Sequence, residues 1–96
     1  MALTESIEYD KIEVVGQYKA VQVRKATVIK KDGVELTRSF HRHVLHAGYL
    51  DGDNNLVDTD LSGEAAEVSA ICNVVWTQSV KDAWTARLIA DNESVL

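Results

Sequence analysis

Between residues 20 and 45 the chain reads AVQVRKATVIKKDGVELTRSFHRHVL, two apolar-rich runs on either side of Asp32-Gly33. After that pair the alternation is strict. Val34, Leu36, Arg38, Phe40, Arg42 and Val44 share one parity; Glu35, Thr37, Ser39, His41, His43 and Leu45 share the other. Side chains alternate across a strand, so the first set predicts a mostly apolar face and the second a mostly wet one. Asp-Gly between such runs predicts a tight hairpin, because Gly33 accepts the positive φ that the favoured turns need. The first run changes phase: Val21 and Val23 share a parity with Lys25, whereas Ala26 and Val28 take the other. A bulge near Arg24-Lys25 explains the change, and so does a central strand buried on both sides. Upstream, Ile7 and Tyr9 give way to Ile12 and Val14 in the same manner, which predicts a strand with a bulge or kink near Asp10-Lys11. With a turn at Gly16-Gln17, strands over about 5–15, 20–30 and 34–45 form an antiparallel meander, preceded by a loose lead-in over 1–4.

The stretch AGYLDGDNNLVDTDLS, residues 47–62, is dominated by Gly, Asp and Asn and reads as a long loop. Apolar residues then recur at helical spacing: Ala65, Val68, Cys72, Val75 and Trp76. Ser62 is placed to cap a helix over 63–76, and Thr77 a second over 78–90 whose apolar line is Val80, Ala83, Trp84 and Leu88. A single long helix is the alternative, since the chain has no proline. The tail from Asn92 is expected to fray. The pattern therefore predicts one α+β domain over 1–96, a three-stranded antiparallel β-meander followed by two C-terminal helices packed on one face of the sheet. Trp76 and Trp84 are its natural large plugs, provided each indole N–H finds a partner.

Ninety-six residues suffice for one domain with a modest core. A net charge of -5 argues against binding nucleic acid through the overall field. The lone Cys72 excludes an internal disulfide and a cysteine-based zinc site. No apolar run reaches the length of a membrane span, and the N-terminal residues lack the pattern of a secretory signal.

The candidate chemistry centres on HRHVLH. His41 and His43 project from one strand face with His46 just beyond, a spacing from which two imidazoles can turn toward one metal, with an aspartate of the next loop completing the set. A solvated strand face or a subunit contact explains the same residues. The exposed outer strand, with Glu35, Thr37, His41, Arg42 and His43, is the candidate interaction surface. Asp51, Asp53 and Asn55 open like a calcium loop, but Leu56 and Ser62 stand where an EF-hand requires glycine and a bidentate glutamate. Cys72 lies on an apolar helical stripe, as core cysteines do. Arg38 and Arg42 sit on the apolar parity of their strand, which predicts either that they reach past the helices or that they pair with carboxylates across the sheet. No phosphate loop, nucleophile elbow or paired-carboxylate motif is present, so neither enzyme activity nor a cofactor is expected.

Arg24, Ala26, Thr27, Ile29, the Asp32–Glu35 turn and His41–Leu45, followed by Val68, Ala70, Ile71, Asn73, Val75–Thr77, Val80, Lys81, Ala83 and Trp84, give the chain a pattern that resembles small proteins encoded by tailed bacteriophages, particularly marine and cyanobacterial ones. The resemblance brings no catalytic residue. It implies a phage-encoded accessory protein, a minor virion, tail-adaptor or decoration module acting by contacts with itself or with larger particle proteins, in the virion or the host cytoplasm. A small regulator that grips a host protein through the Trp-bearing helices is the alternative within the same setting.

Overall fold

The central strand organises the molecule. In the computed structural model, which describes residues 2–94, β2 (Ala20–Lys31) lies between β1 (Leu3–Val15) and β3 (Val34–Leu45), antiparallel to both. β2 carries no bulge at Arg24-Lys25. Its alternation is unbroken there, so Val21 and Val23 face one side and Ala26 and Val28 the other, and all four are buried. The doubly buried central strand is thus the correct one of the two readings. The expected irregularity of β1 is present: Tyr9 pairs with Lys25 and Lys11 with Arg24, leaving Asp10 as the extra residue. A second bulge, unforeseen from the sequence, leaves Leu36 of β3 unpaired between Thr37, opposite Ile29, and Glu35, opposite Lys30.

Asp32 and Gly33 both adopt positive φ, at 52° and 84°, as a primed two-residue hairpin turn requires. The lead-in is not loose. Leu3 and Thr4 belong to β1, and Ala2 exchanges hydrogen bonds with Asp32, its N–H donating to the Asp32 carboxylate and its carbonyl accepting from the Asp32 N–H.

The segment read as a loop contains a small ribbon, β4 (Gly48–Leu50) paired with β5 (Leu56–Asp58). The Asp51 carboxylate turns the chain between them by accepting from the N–H groups of Asp53 and Asn55. Two separate helices follow, α1 (Ala66–Val75) and α2 (Gln78–Ser94). Ser62 does not cap the first. Its N–H is taken by the Asp60 carboxylate, and α1 starts later with Ala65 at the N-cap and no side-chain cap. Thr77 does cap the second, its hydroxyl accepting from the Val80 N–H at 3.3 Å. The helix continues through Asn92 to Ser94, past the expected fraying point.

The helices pack on the Val21/Val23 side of the sheet. The core there joins these valines to Ala47, Val68, Cys72 and Trp76, with Tyr9, Ile12, Leu45, Val80 and Trp84 packed around them. This reverses the facing expected for β3. Val21 pairs with Leu45 and Val23 with His43, so the parity that looks wet is the one turned toward the helices, whereas Phe40 and Val44 point away and stay 46% and 48% exposed. Both indoles are anchored as expected: Trp76 Nε1 donates to the Lys19 carbonyl at 2.8 Å, and Trp84 Nε1 to the Gly48 carbonyl at 2.9 Å.

Candidate functional site

The sheet is longer than the helical layer that covers it. Twelve residues of extended chain span about 40 Å, whereas the ten residues of α1 span about 15 Å and the seventeen of α2 about 25 Å. The core therefore occupies only the end of the sheet nearest Gly16, and the half that leads to the Asp32-Gly33 turn projects as an arm. The overall extents are 59 × 28 × 22 Å with a radius of gyration of 17.7 Å. A globular chain of this length has a radius near 12.5 Å, as a rough expectation.

The two faces of the arm differ. On the face away from the helices, Ala26 and Val28 are fully buried although no layer of secondary structure lies over them. Long side chains of the flanking strands arch across instead. Arg38, on β3, donates to Glu8, on β1, at 3.0 Å and to Glu35 at 2.8 Å, so its guanidinium crosses the central strand. Arg24 grips Asp10 with two hydrogen bonds of 2.9 and 2.7 Å while its guanidinium sits 4.5 Å from the centre of the Phe40 ring. Arg38 follows the carboxylate-pairing alternative of the two its parity allows; Arg42 has no ion pair among the described residues. These ion pairs hold the Asp10 and Glu35 carboxyls below their ordinary range, in each case chiefly through the hydrogen bond from the arginine. The same bonds push both arginines further toward the charged form.

On the helix-side face no ion pair among the described residues crosses the central strand. Its rows, read across β1, β2 and β3, are Leu3–Lys31–Val34, Glu5–Ile29–Thr37, Ile7–Thr27–Ser39 and Tyr9–Lys25–His41. Leu3, Ile7 and Val34 remain 63%, 54% and 66% exposed, with the half-buried Ile29 between them. This face, about 14 Å wide and 23 Å long from the strand spacing and rise, sets those apolar residues among Glu5, Lys25, Lys31, Thr27, Thr37, Ser39 and His41, and it is the candidate site.

The residues singled out from the sequence divide between the two faces. Thr37 and His41 lie on the bare face. Glu35 is occupied by Arg38 on the other. Arg42 lines an open groove of about 230 Å³ on that second face, with Lys11, Glu13, Gln22 and Arg24. His43 lies at the border of the helical layer, where its Nε2 is 2.5 Å from a carboxylate oxygen of the half-buried Glu64. The three histidines do not converge. The rings of His41 and His43 are 6.1 Å apart, while His46 stacks on Trp84 at 5.0 Å. Among the described residues no group of three or more His, Cys, Asp or Glu side chains is placed to hold a metal ion. Asp51, first of the suspected calcium ligands, serves the β4–β5 turn. Cys72 is a buried free cysteine, its thiol pushed up by burial and secondarily by Glu64.

Sequence reasoning missed Leu3, Ile7, Ile29 and Val34 as a surface. The signal was a mismatch of lengths, since strands of twelve or thirteen residues are longer than either helix. Among the described residues no helix is long and apolar enough to cross a membrane. No protein-family model matches the chain, and no curated protein and no solved structure is found similar to it.

Proposed function

We propose that this chain is a non-enzymatic assembly module that acts by protein–protein contacts through its sheet arm, as a minor component or accessory factor of a bacteriophage particle. One observation carries the contact reading: a sheet arm that runs past the helical layer and leaves Leu3, Ile7 and Val34 exposed on one face. A three-stranded sheet needs one face covered to be stable, and exposed apolar residues gathered on one uncovered face mark an interaction surface. The phage setting is supported by the sequence pattern alone, and the working compartment follows from it as the virion or the host cytoplasm.

A host regulator working through the tryptophans has less support, because Trp76 is buried and both indole N–H groups are bonded to backbone carbonyls of the chain itself. Quantitative mass spectrometry of particles purified from cells infected with the encoding phage tests the proposal. A fixed, stoichiometric copy number is expected for a virion component. Presence in assembling particles but not mature ones is expected for an accessory factor. Absence from both overturns the reading.

A further inference from the structure

We propose that the chain has a second contact site, on the sheet face away from the helices, that takes an extended acidic segment of a partner protein. The segment it fits carries one acidic residue between two apolar ones, at alternate positions. The site lies at the Gly16 end of the sheet, outside the arm, and centres on Arg42. The inference rests on the reading of the chain as a contact protein only in naming a peptide as the ligand.

The first observation is charge. Of the four arginines, Arg24, Arg38 and Arg87 each hold a carboxylate, whereas Arg42 has neither an ion pair nor a side-chain hydrogen bond among the described residues. The register gives the reason. Across the central strand from Arg42 stands Lys11, so the row Lys11–Arg24–Arg42 is cationic throughout. Two acids reach this row and both are taken, Asp10 by Arg24 and Glu13 by Lys11. Like charges side by side on a sheet repel, and a carboxylate brought by another molecule relieves that repulsion at Arg42.

The second is shape. Farther along this face Arg38 crosses over Val28, and the Arg24–Phe40 pair closes over Ala26, so both residues of the central strand are fully buried. At Gln22 no ion pair crosses, and the side chain stays exposed. It floors the groove of about 230 Å³ that Lys11 and Glu13 wall on one side and Arg42 and Val44 on the other. The Gln22 amide and the Arg42 guanidinium give this groove donors for one carboxylate.

The third is what flanks the arginine. Phe40 and Val44 stand two residues to either side of Arg42 on the same face of β3 and are 46% and 48% exposed. Apolar, cationic and apolar side chains thus follow one another along about 14 Å of strand. An extended segment repeats its facing at the same period, so an acid between two apolar residues matches all three. A free inorganic anion uses only the middle of the pattern, and an isolated ion pair in the open contributes little. A peptide is therefore the ligand that the surface favours.

The test is a heteronuclear NMR titration of the whole chain with the capped peptide Ser-Leu-Ser-Glu-Ser-Leu-Ser, up to about 5 mM in low salt. The signals of Gln22, Arg42 and Val44 are expected to shift together, with a Kd of about 1 mM or tighter. The same peptide with glutamine in place of glutamate is expected to bind about fivefold more weakly. Arg42→Gln, at an exposed position where circular dichroism should show the fold kept, is expected to bind both peptides at that weaker level. No shift at the groove over the whole range overturns the proposal. So does equal affinity of the wild type for the two peptides, or an Arg42→Gln variant that still tells them apart. Sodium acetate that produces the same shifts at the same concentration also overturns it, by showing a bare anion site. The titration contains no particle, so its failure leaves the assembly reading standing, and absence of the chain from particles leaves this site standing.

Discussion

Trp76 is the joint of the molecule, and its replacement tests the account of the core. It sits at the C-cap of α1, just before α2, is 7% exposed, and donates its indole N–H across the domain to the carbonyl of Lys19 in the β1–β2 turn. Two substitutions separate its contributions. Trp76→Phe keeps most of the apolar contact, removes the hydrogen bond and leaves the Lys19 carbonyl short of a partner, a loss of about 1–2 kcal/mol. Trp76→Ala also opens a cavity against Val21, Val23 and Cys72 and is expected to cost about 3–5 kcal/mol. A domain of this size with one modest core holds only about 5 kcal/mol or a little more, so the alanine variant should be partly unfolded in plain buffer. Urea denaturation followed by far-UV circular dichroism, at one fixed protein concentration so that association does not intrude, measures both. A phenylalanine variant indistinguishable from wild type refutes the role of the Lys19 bond. An alanine variant that loses less than about 2 kcal/mol refutes the placement of Trp76 in the centre of the core.

Two further outcomes follow from single sites. A Cβ on Gly48 would lie 2.5 Å from the Val57 carbonyl oxygen and 2.9 Å from Leu56, and the Gly48 carbonyl also receives the Trp84 N–H, so Gly48→Ala should pry β4 from β5 and lower the melting temperature by several degrees, about 1–3 kcal/mol of overpacking; an unchanged melting curve refutes the contact. The Asp10 and Glu35 carboxyls, with ordinary values of 3.8 and 4.5, titrate lower in the folded chain because Arg24 and Arg38 hold their charged forms. Depressed carboxylates stabilise the fold above their unfolded values, and that contribution is lost as pH falls through the folded ones. The melting temperature should therefore drop as pH is taken below about 4.5, and the double variant Asp10→Asn/Glu35→Gln should show a shallower drop; equal slopes refute the linkage.

The meander, its Asp-Gly turn, the Asp10 bulge and the two helices were legible because each rests on a local rule: alternation, turn chemistry, or a cap such as Thr77. What was not legible depended on partners distant in sequence. Which face of β3 meets the helices is set by its register with β2, where Leu45 and His43 fall beside Val21 and Val23, and no residue of β3 alone reports that register. Ala26 and Val28 announced burial, but the cover comes from Arg24, Arg38 and Phe40 rather than from a helix. The β4–β5 ribbon was hidden by its short strands, three residues each, too few for alternation to show. The histidine spacing did place His41 and His43 on one face; the stacking of His46 on Trp84, which separates the set, is a tertiary contact. The bare strip was legible only as a difference between two lengths, and the sequence reading compared patterns instead.

The contrast between the arm's two faces yields a last test. Val28 is buried because Arg38 on one side can reach Glu8 on the other over the central strand. On the helix-side face the equivalent row is Glu5–Ile29–Thr37: an acid stands on β1, but threonine on β3 is too short to meet it. Thr37→Arg supplies the missing cation at the register position opposite Ile29. Its guanidinium is expected to bridge to Glu5 and cover Ile29 within one chain, as Arg38 covers Val28. Covering Ile29 within one chain should raise the melting temperature by a few degrees, about 1 kcal/mol of apolar burial. Thr37→Arg together with Glu5→Gln removes the bridge but keeps the arginine's bulk and charge. If that double variant melts as high as Thr37→Arg alone, the gain does not come from the bridge and the covering argument fails. If Thr37→Arg leaves the melting temperature unchanged, the arginine does not cover Ile29.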